Sequence, residues 1–145
     1  MTRASRLLAT AFALLLSATA APADGIFVGA PAELDGYLWV KRPVVVFADT
    51  PDDPRYVQQM EMLQARPDPL AERDVIVLTD TDPEARGPLR RALRPRGFSV
   101  VLVGKDGRVE LRKPAPWDVR ELTRVIDKLP LRQQELREAR QPGAG

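Results

Sequence analysis

Three groups of side chains in this chain have the types and spacing that chemistry can use. The first is acidic. Asp49, Asp52 and Asp53 follow the apolar run Val44-Val45-Val46-Phe47-Ala48, and Asp80 and Asp82 follow Val75-Ile76-Val77-Leu78-Thr79. If those runs are neighbouring parallel strands, these carboxylates share one edge, which is where open α/β sheets hold ligands. Oxygen-rich clusters suit calcium or magnesium. Paired carboxylates can also divide acid and base roles by perturbing each other's pKa. Each aspartate has a local role open to it as well. Asp53 and Asp82 can cap the helices that Pro54 and Pro83 begin, and Asp49 and Asp80 can close turns. No metal-loop spacing such as an EF-hand accompanies them.

The second group is basic: Arg86, Arg90, Arg91 and Arg94, with Arg96 just beyond. Guanidinium forks bind phosphate and carboxylate, so an anionic partner is one reading. Asp80, Asp82 and Glu84 lie just upstream, and acid at a helix start with base at its end also complements the helix dipole. A solvated helical face is the plainer reading. The third group is aromatic. Trp39 precedes a buried-type strand, and Trp117 opens the last helix. Both tryptophans are expected to pack into the core or to cover a sheet edge. An exposed patch of Tyr37 and Trp39 would instead make a partner surface. Lys105-Asp106-Gly107 is a tight turn and not a phosphate loop, because the Gly-Lys-Ser/Thr pattern is missing.

Residue identity alone removes much chemistry. The chain has no Cys and no His. Thiol redox, Cys or His nucleophiles, Ser-His-Asp triads and His-ligated zinc are therefore excluded. No cofactor is expected.

The first residues resemble an export signal. Arg3 and Arg6 form a basic stretch, Leu7 to Leu16 is apolar or small, and Ala18-Thr19-Ala20 and Ala21-Pro22-Ala23 offer small residues where a signal peptidase reads. The run is well short of the roughly 20 residues needed to cross hydrocarbon. The expectation is a signal peptide over 1–23, cut after Ala20 or Ala23, and a periplasmic or secreted mature protein without a membrane span. The chain has 22 basic and 20 acidic residues. Loss of Arg3 and Arg6 leaves the two balanced, so the strong basic excess of a nucleic-acid binder is absent.

The rest reads as one domain. Residues 24–33 form a leader, loose or an edge strand, and Glu33 to Trp39 a helical turn. Val44 to Ala48 is a strand buried on both faces. Asp53 and Pro54 open a helix to Ala65 that Pro67 ends. Val75 to Thr79 is a second buried strand. An arginine-rich helix follows over Glu84 to Leu93, weakened by Gly87 and Pro88. Phe98 to Val103 and Val109 to Arg112 make a hairpin about the Lys105 turn. In the helix Pro116 to Leu129, Leu122, Val125, Ile126 and Leu129 recur at helical spacing. Residues 131–145 are a polar extension to a domain spanning 34–130. Strand, helix and strand in series imply a right-handed parallel unit. The order β-α-β-α-β-β-α matches an α/β thioredoxin-like three-layer sandwich, with a mixed sheet of four to five strands and flanking helices.

A family likeness strengthens that reading. Tyr37-Leu38-Trp39-Val40-Lys41-Arg42-Pro43, Pro51-Asp52-Asp53-Pro54, Glu72-Arg73-Asp74-Val75, the run Gly97 to Gly107, Ile126-Asp127 and Pro130-Leu131-Arg132 resemble a domain-of-unknown-function family of small exported bacterial proteins. A related domain occurs in animal extracellular proteins of the equarin type. The likeness covers about Leu34 to Arg137. It implies a thioredoxin-like fold close to the peroxiredoxins, and it carries over no activity and no catalytic residue. Thioredoxins place their reactive cysteines just after the strand represented here by Val44 to Phe47. This chain has Asp49-Thr50-Pro51-Asp52-Asp53 there. The leading expectation is a non-catalytic binding module, not an enzyme, whose partner is an envelope protein or polymer. The alternative is a divalent-metal-binding protein, or a metal-dependent enzyme, using the acidic loops.

Overall fold

The computed structural model describes residues 23–29 and 32–141. Most of the expected signal peptide, and the end of the C-terminal extension, lie outside the described residues. Five strands form one sheet: β1 (Phe27–Val28), β2 (Arg42–Phe47), β3 (Val75–Asp80), β4 (Ser99–Val103) and β5 (Val109–Lys113), in the spatial order β1-β3-β2-β4-β5. β1, β2 and β3 run parallel, whereas β4 runs antiparallel to β2, and β5 to β4. The α/β fold and mixed sheet expected from the sequence are thus present.

The central strands owe their place to composition. Val44, Val45 and Val46 are β-branched and fully buried, which suits a strand covered on both faces. Alternation sends Val44, Val46 and Ala48 to one core with Leu63, Leu70, Phe98, Leu122 and Ile126. Val45 and Phe47 face the other core, with Ile76, Leu78, Leu89, Leu93 and Val101. Each such buried side chain contributes about 1.5–3 kcal/mol relative to exposure.

Helices make the outer layers: α1 (Pro54–Ala65), α2 (Pro67–Ala71), α3 (Pro88–Leu93), α4 (Val119–Asp127) and α5 (Pro130–Ala139). α1 keeps the bounds its sequence predicts, because Asp53 Oδ1 accepts the Arg55 N–H at 2.9 Å and Pro54 fills the first turn. α3 is shorter than expected. Residues 83–86 form turns, and the helix starts only at Pro88, since Gly87 at its N-cap is extended. α4 begins later than Pro116, at the cap where Asp118 accepts the Glu121 N–H at 2.8 Å.

The leader takes the edge-strand form that its sequence allows. The leader expected over 24–33 carries a 3-10 turn, Ala23–Ile26, and then β1, whose Phe27 and Val28 pair with Val77 and Leu78. The polar extension continues as α5, a helix with no buried residue.

Candidate functional site

The parallel register Phe47↔Asp80 brings the C-terminal ends of β2 and β3 together, as the acidic reading requires. The carboxylates nevertheless take separate tasks. Asp53 caps α1 and also accepts from the Arg55 guanidinium at 2.9 and 3.1 Å, and that hydrogen bond holds its carboxyl below the usual range. Asp82 Oδ1 accepts the Ala85 N–H at 3.3 Å. Asp80 is 4 % exposed and accepts from Arg90 Nε at 2.9 Å and from the Asp82 N–H at 3.0 Å. Asp49 and Asp52 are exposed on the loop. Among the described residues no three acidic side chains come together in a way that could hold a metal ion. A cavity of about 540 Å³ lies beside this edge, lined in part by Thr79, Asp80, Thr81 and Asp82.

The arginine group is divided. Arg90 turns inward, donating to Asp80 and to the Ala48 and Asp80 carbonyls at 2.7 and 3.1 Å, with its guanidinium over the Phe47 ring. It is thereby withdrawn from any partner surface. Arg86, Arg91 and Arg94 stay exposed.

The opposite end of the sheet holds what the sequence did not advertise. Because β4 runs antiparallel to β2, the turn after Val103 lies beside the start of β2. Lys105 thus comes beside Arg42, and the Trp39 N–H donates to the Lys105 carbonyl at 2.8 Å. Gly107 makes the turn at φ +82°, and a Cβ there would come within 2.9 Å of Leu38.

Arg42 is completely buried. It donates through Nη1 to the Arg73 carbonyl at 2.9 Å and through Nη2 to Glu135 Oε1 at 2.9 Å. Lys105 Nζ donates to the same Oε1 at 2.7 Å and to Asp74 Oδ2 at 2.8 Å. Arg132 reaches Glu135 Oε2 at 3.4 Å. Burial pushes the Glu135 pKa up, but hydrogen bonds from Lys105 and Arg42, and their charges, outweigh it and bring it to about 2. A second pair ties α4 to the loop before β3. Arg73 donates to both oxygens of Asp127, at 2.8 and 2.9 Å, and holds its carboxyl below the usual range.

A groove of about 470 Å³ runs alongside. Trp39, Arg42, Lys105, Arg108 and Val109 line it, together with the α4–α5 corner at Leu129 to Leu131. Trp39 does not pack into the core and takes instead the exposed alternative that its sequence left open. It is 68 % exposed, and with Leu38, Val40 and Val109 it makes up most of the exposed large apolar side chains of the described residues. The chain turns away at that point, so the ring is left outside while its backbone is tied to Lys105. Trp39 has φ +64° and Asp74, which accepts from Lys105 Nζ, φ +55°. These are left-handed conformations that cost a non-glycine residue on the order of 1–3 kcal/mol. Tyr37 is half-buried against the second core, so only Trp39 of the proposed aromatic pair stands free. Trp117 is half-buried, with its backbone N–H donating to Gln59 Oε1 at 2.7 Å and Lys113 over its ring.

Sequence reasoning missed Arg42, Lys105 and Glu135 as a unit. One signal was available: a charged residue directly before a doubly buried strand must find a counter-ion. Nothing in the pattern pointed to an acid on a polar helix so far along the chain.

Comparison with solved structures supports the fold. The chain is similar to a reduced 2-Cys peroxiredoxin of Plasmodium vivax, with TM-score 0.54 and 14% identity over 71% of this chain and 84% of that one. It is also similar to Plasmodium yoelii Prx1a modified at its N-terminus, described as an artifactual octamer, with TM-score 0.50 and 16% identity over 68% and 79%. At such identities the likeness shows the fold alone, and this chain has no cysteine. A comparison with curated proteins finds no match. A family model matches residues 33–135, nearly all of the described fold, and the chain therefore belongs to the family described as Domain of unknown function (DUF4174).

Proposed function

We propose that this protein is a non-catalytic thioredoxin-like binding module that works outside the cytoplasm and holds a protein partner against the Trp39 surface. One observation carries the reading. An exposed tryptophan is held in a costly backbone conformation beside a groove, with Leu38, Val40 and Val109 around it. Strained, solvent-facing aromatic positions persist where the surrounding structure enforces them, and tryptophan is prominent among residues that dominate protein interfaces. The loop after β2 supports the non-catalytic half, because it offers aspartates where thiol enzymes of this fold carry cysteine. The extracellular or periplasmic half rests on the basic, apolar and small-residue order of residues 1–23.

The carboxylate alternative has less behind it. Asp53, Asp80 and Asp82 are engaged by caps and ion pairs, which leaves Asp49 and Asp52.

The test is cross-linking and affinity capture of the tagged protein from its native host, with W39A alongside. A protein retained by the parent and lost by W39A supports the reading. The loss of one interface tryptophan costs at least about 2 kcal/mol, which is on the order of thirtyfold in affinity. Equal capture by both, or thiol-independent turnover of a substrate, overturns it. A retained polymer in place of a protein would move the partner class.

A further inference from the structure

The ionic cluster beside the groove has an unusual economy. α5 buries no residue and has no side-chain cap at its N-terminus. Its links to the rest of the domain are largely polar: Glu135 to Arg42 and Lys105, Arg132 to Asp127, and Gln133 to the Asp127 carbonyl. Its apolar residues Leu131 and Leu136 are only half-buried, so packing holds it less firmly than it holds a helix with a buried apolar face. The site that receives Glu135 is, by contrast, fixed. Arg42 sits in β2, fully buried, and its backbone N–H donates to the Asp74 carbonyl at 2.8 Å. Asp74 is itself held at positive φ.

The receiving site also keeps unused capacity. Arg42 Nε is buried without a hydrogen-bond partner among the described residues, as is Arg132 Nε on α5 itself. Buried donors of this kind are costly and are normally satisfied. Arg42 lines the groove that also touches Trp39 and Val109. A carboxylate entering along the groove would meet the Arg42–Lys105 pair and leave neighbouring apolar groups against Trp39. Asp106 and Glu110 at the groove's rim disfavour a run of negative charge. A single acid between apolar residues fits better than a polyanion.

We propose that Arg42 and Lys105 form a carboxylate socket that Glu135 closes from within, and that a partner peptide bearing one acidic residue between apolar ones displaces Glu135 and lifts α5. The proposal rests on the Trp39 surface being the partner-binding face, and it adds the ligand class and a built-in competitor. A ligand that must displace an internal occupant binds more weakly by the fraction of time the site stands open.

The experiment uses the full chain with W117F, which leaves Trp39 as the sole tryptophan reporter. Acetyl-Leu-Leu-Glu-Leu-Leu-amide is titrated by fluorescence against this protein and against its E135Q form, with the Gln version of the peptide as control. E135Q is expected to bind the Glu peptide at least about tenfold more tightly than its parent, with the Gln peptide silent. Equal affinity for both proteins, equal response to both peptides, or no response from either protein overturns the socket. Hydrogen exchange on the protein with Glu135 intact gives a readout that does not depend on the variant folding. The Glu peptide should speed exchange of the amides of residues 133–139 and leave those of β2 unchanged, whereas unchanged rates in α5 count against displacement. Partner capture that depends on Trp39 alongside a flat titration would remove the socket and leave the binding-module reading standing.

Discussion

The two ends of the central sheet both bury an arginine against a carboxylate, and they do so by opposite means. At the C-terminal end, Arg90 meets Asp80 ten positions away, and Asp53 meets Arg55 two positions away. At the N-terminal end, Arg42 meets Glu135 across 93 positions and Lys105 meets Asp74 across 31. The first end leans mainly on caps and turns within each segment, with Arg90 adding one reach to the Ala48 carbonyl across 42 positions. The second exists only when the sheet, the β4–β5 turn and the last helix are all in place. An acidic sequence cluster is thus taken up mostly by local caps and turns, while an inconspicuous set of scattered charges forms the concerted unit.

The sharpest way to test this contrast is R42M. The change removes the hydrogen bond to the Arg73 carbonyl and the charge-assisted one to Glu135, which keeps Lys105, and costs about 3 kcal/mol. For a domain of this size that lowers the Tm by on the order of 10 °C. A drop within about 1 kcal/mol in thermal or chemical denaturation would reduce the concerted end to an ordinary surface pair. D80N comes next. Arg90 keeps the Ala48 and Asp80 carbonyls, so the expected loss is about 2 kcal/mol, the range for a hydrogen bond to a charged group. A loss larger than that of R42M would invert the comparison.

Acid separates the two ends by another route. Glu135 titrates near 2 in the folded protein, below its unfolded value. A depressed carboxylate contributes stability that is present above the unfolded pKa and is lost as pH falls through the folded one. The stability gap between the parent and E135Q should therefore be widest at about pH 7 and shrink toward about pH 2.5 in urea melts. A gap that does not change with pH would mean that Glu135 gains nothing from its ionised form. W39G should fold within about 1 kcal/mol of the parent, since relief of a left-handed tryptophan offsets the freedom glycine adds to the unfolded chain. It should still lose the captured partner. The smallest effect belongs to the acidic loop. D49N with D52N should change stability by no more than about 0.5 kcal/mol, and calcium, magnesium or manganese should leave the Tm unmoved. A metal-induced rise that the double variant abolishes would restore the ion-binding reading, because a ligand of the native state stabilises it.

How far each feature could be read from sequence follows the same division. Strands such as Val44 to Phe47 and the helix from Pro54 to Ala65 were legible, because burial on both faces and a proline-headed cap are written in consecutive residues. The hairpin at Lys105 was legible for the same reason. The Glu84 start of α3 was misplaced, since Gly87 and Pro88 set the boundary against an apparently continuous arginine pattern. Core packing, a sheet-edge cover and an exposed partner surface are all open to Trp39 from sequence, and the backbone turn that leaves it exposed is one that composition does not mark. Arg42 with Lys105 and Glu135 was out of reach because no local rule links residues separated by 30 and 93 positions.

The span between Arg42 and Glu135 has a consequence for synthesis. A chain made from its N-terminus presents β2 long before α5 exists. Until Glu135 arrives, an otherwise finished sheet contains a guanidinium without the acid that compensates its burial. A product that stops short of α5 would hold every strand and both cores yet keep this one uncompensated charge. Truncation before α5 would therefore lower stability by removing the Glu135 contact to Arg42, although every strand and both cores would remain.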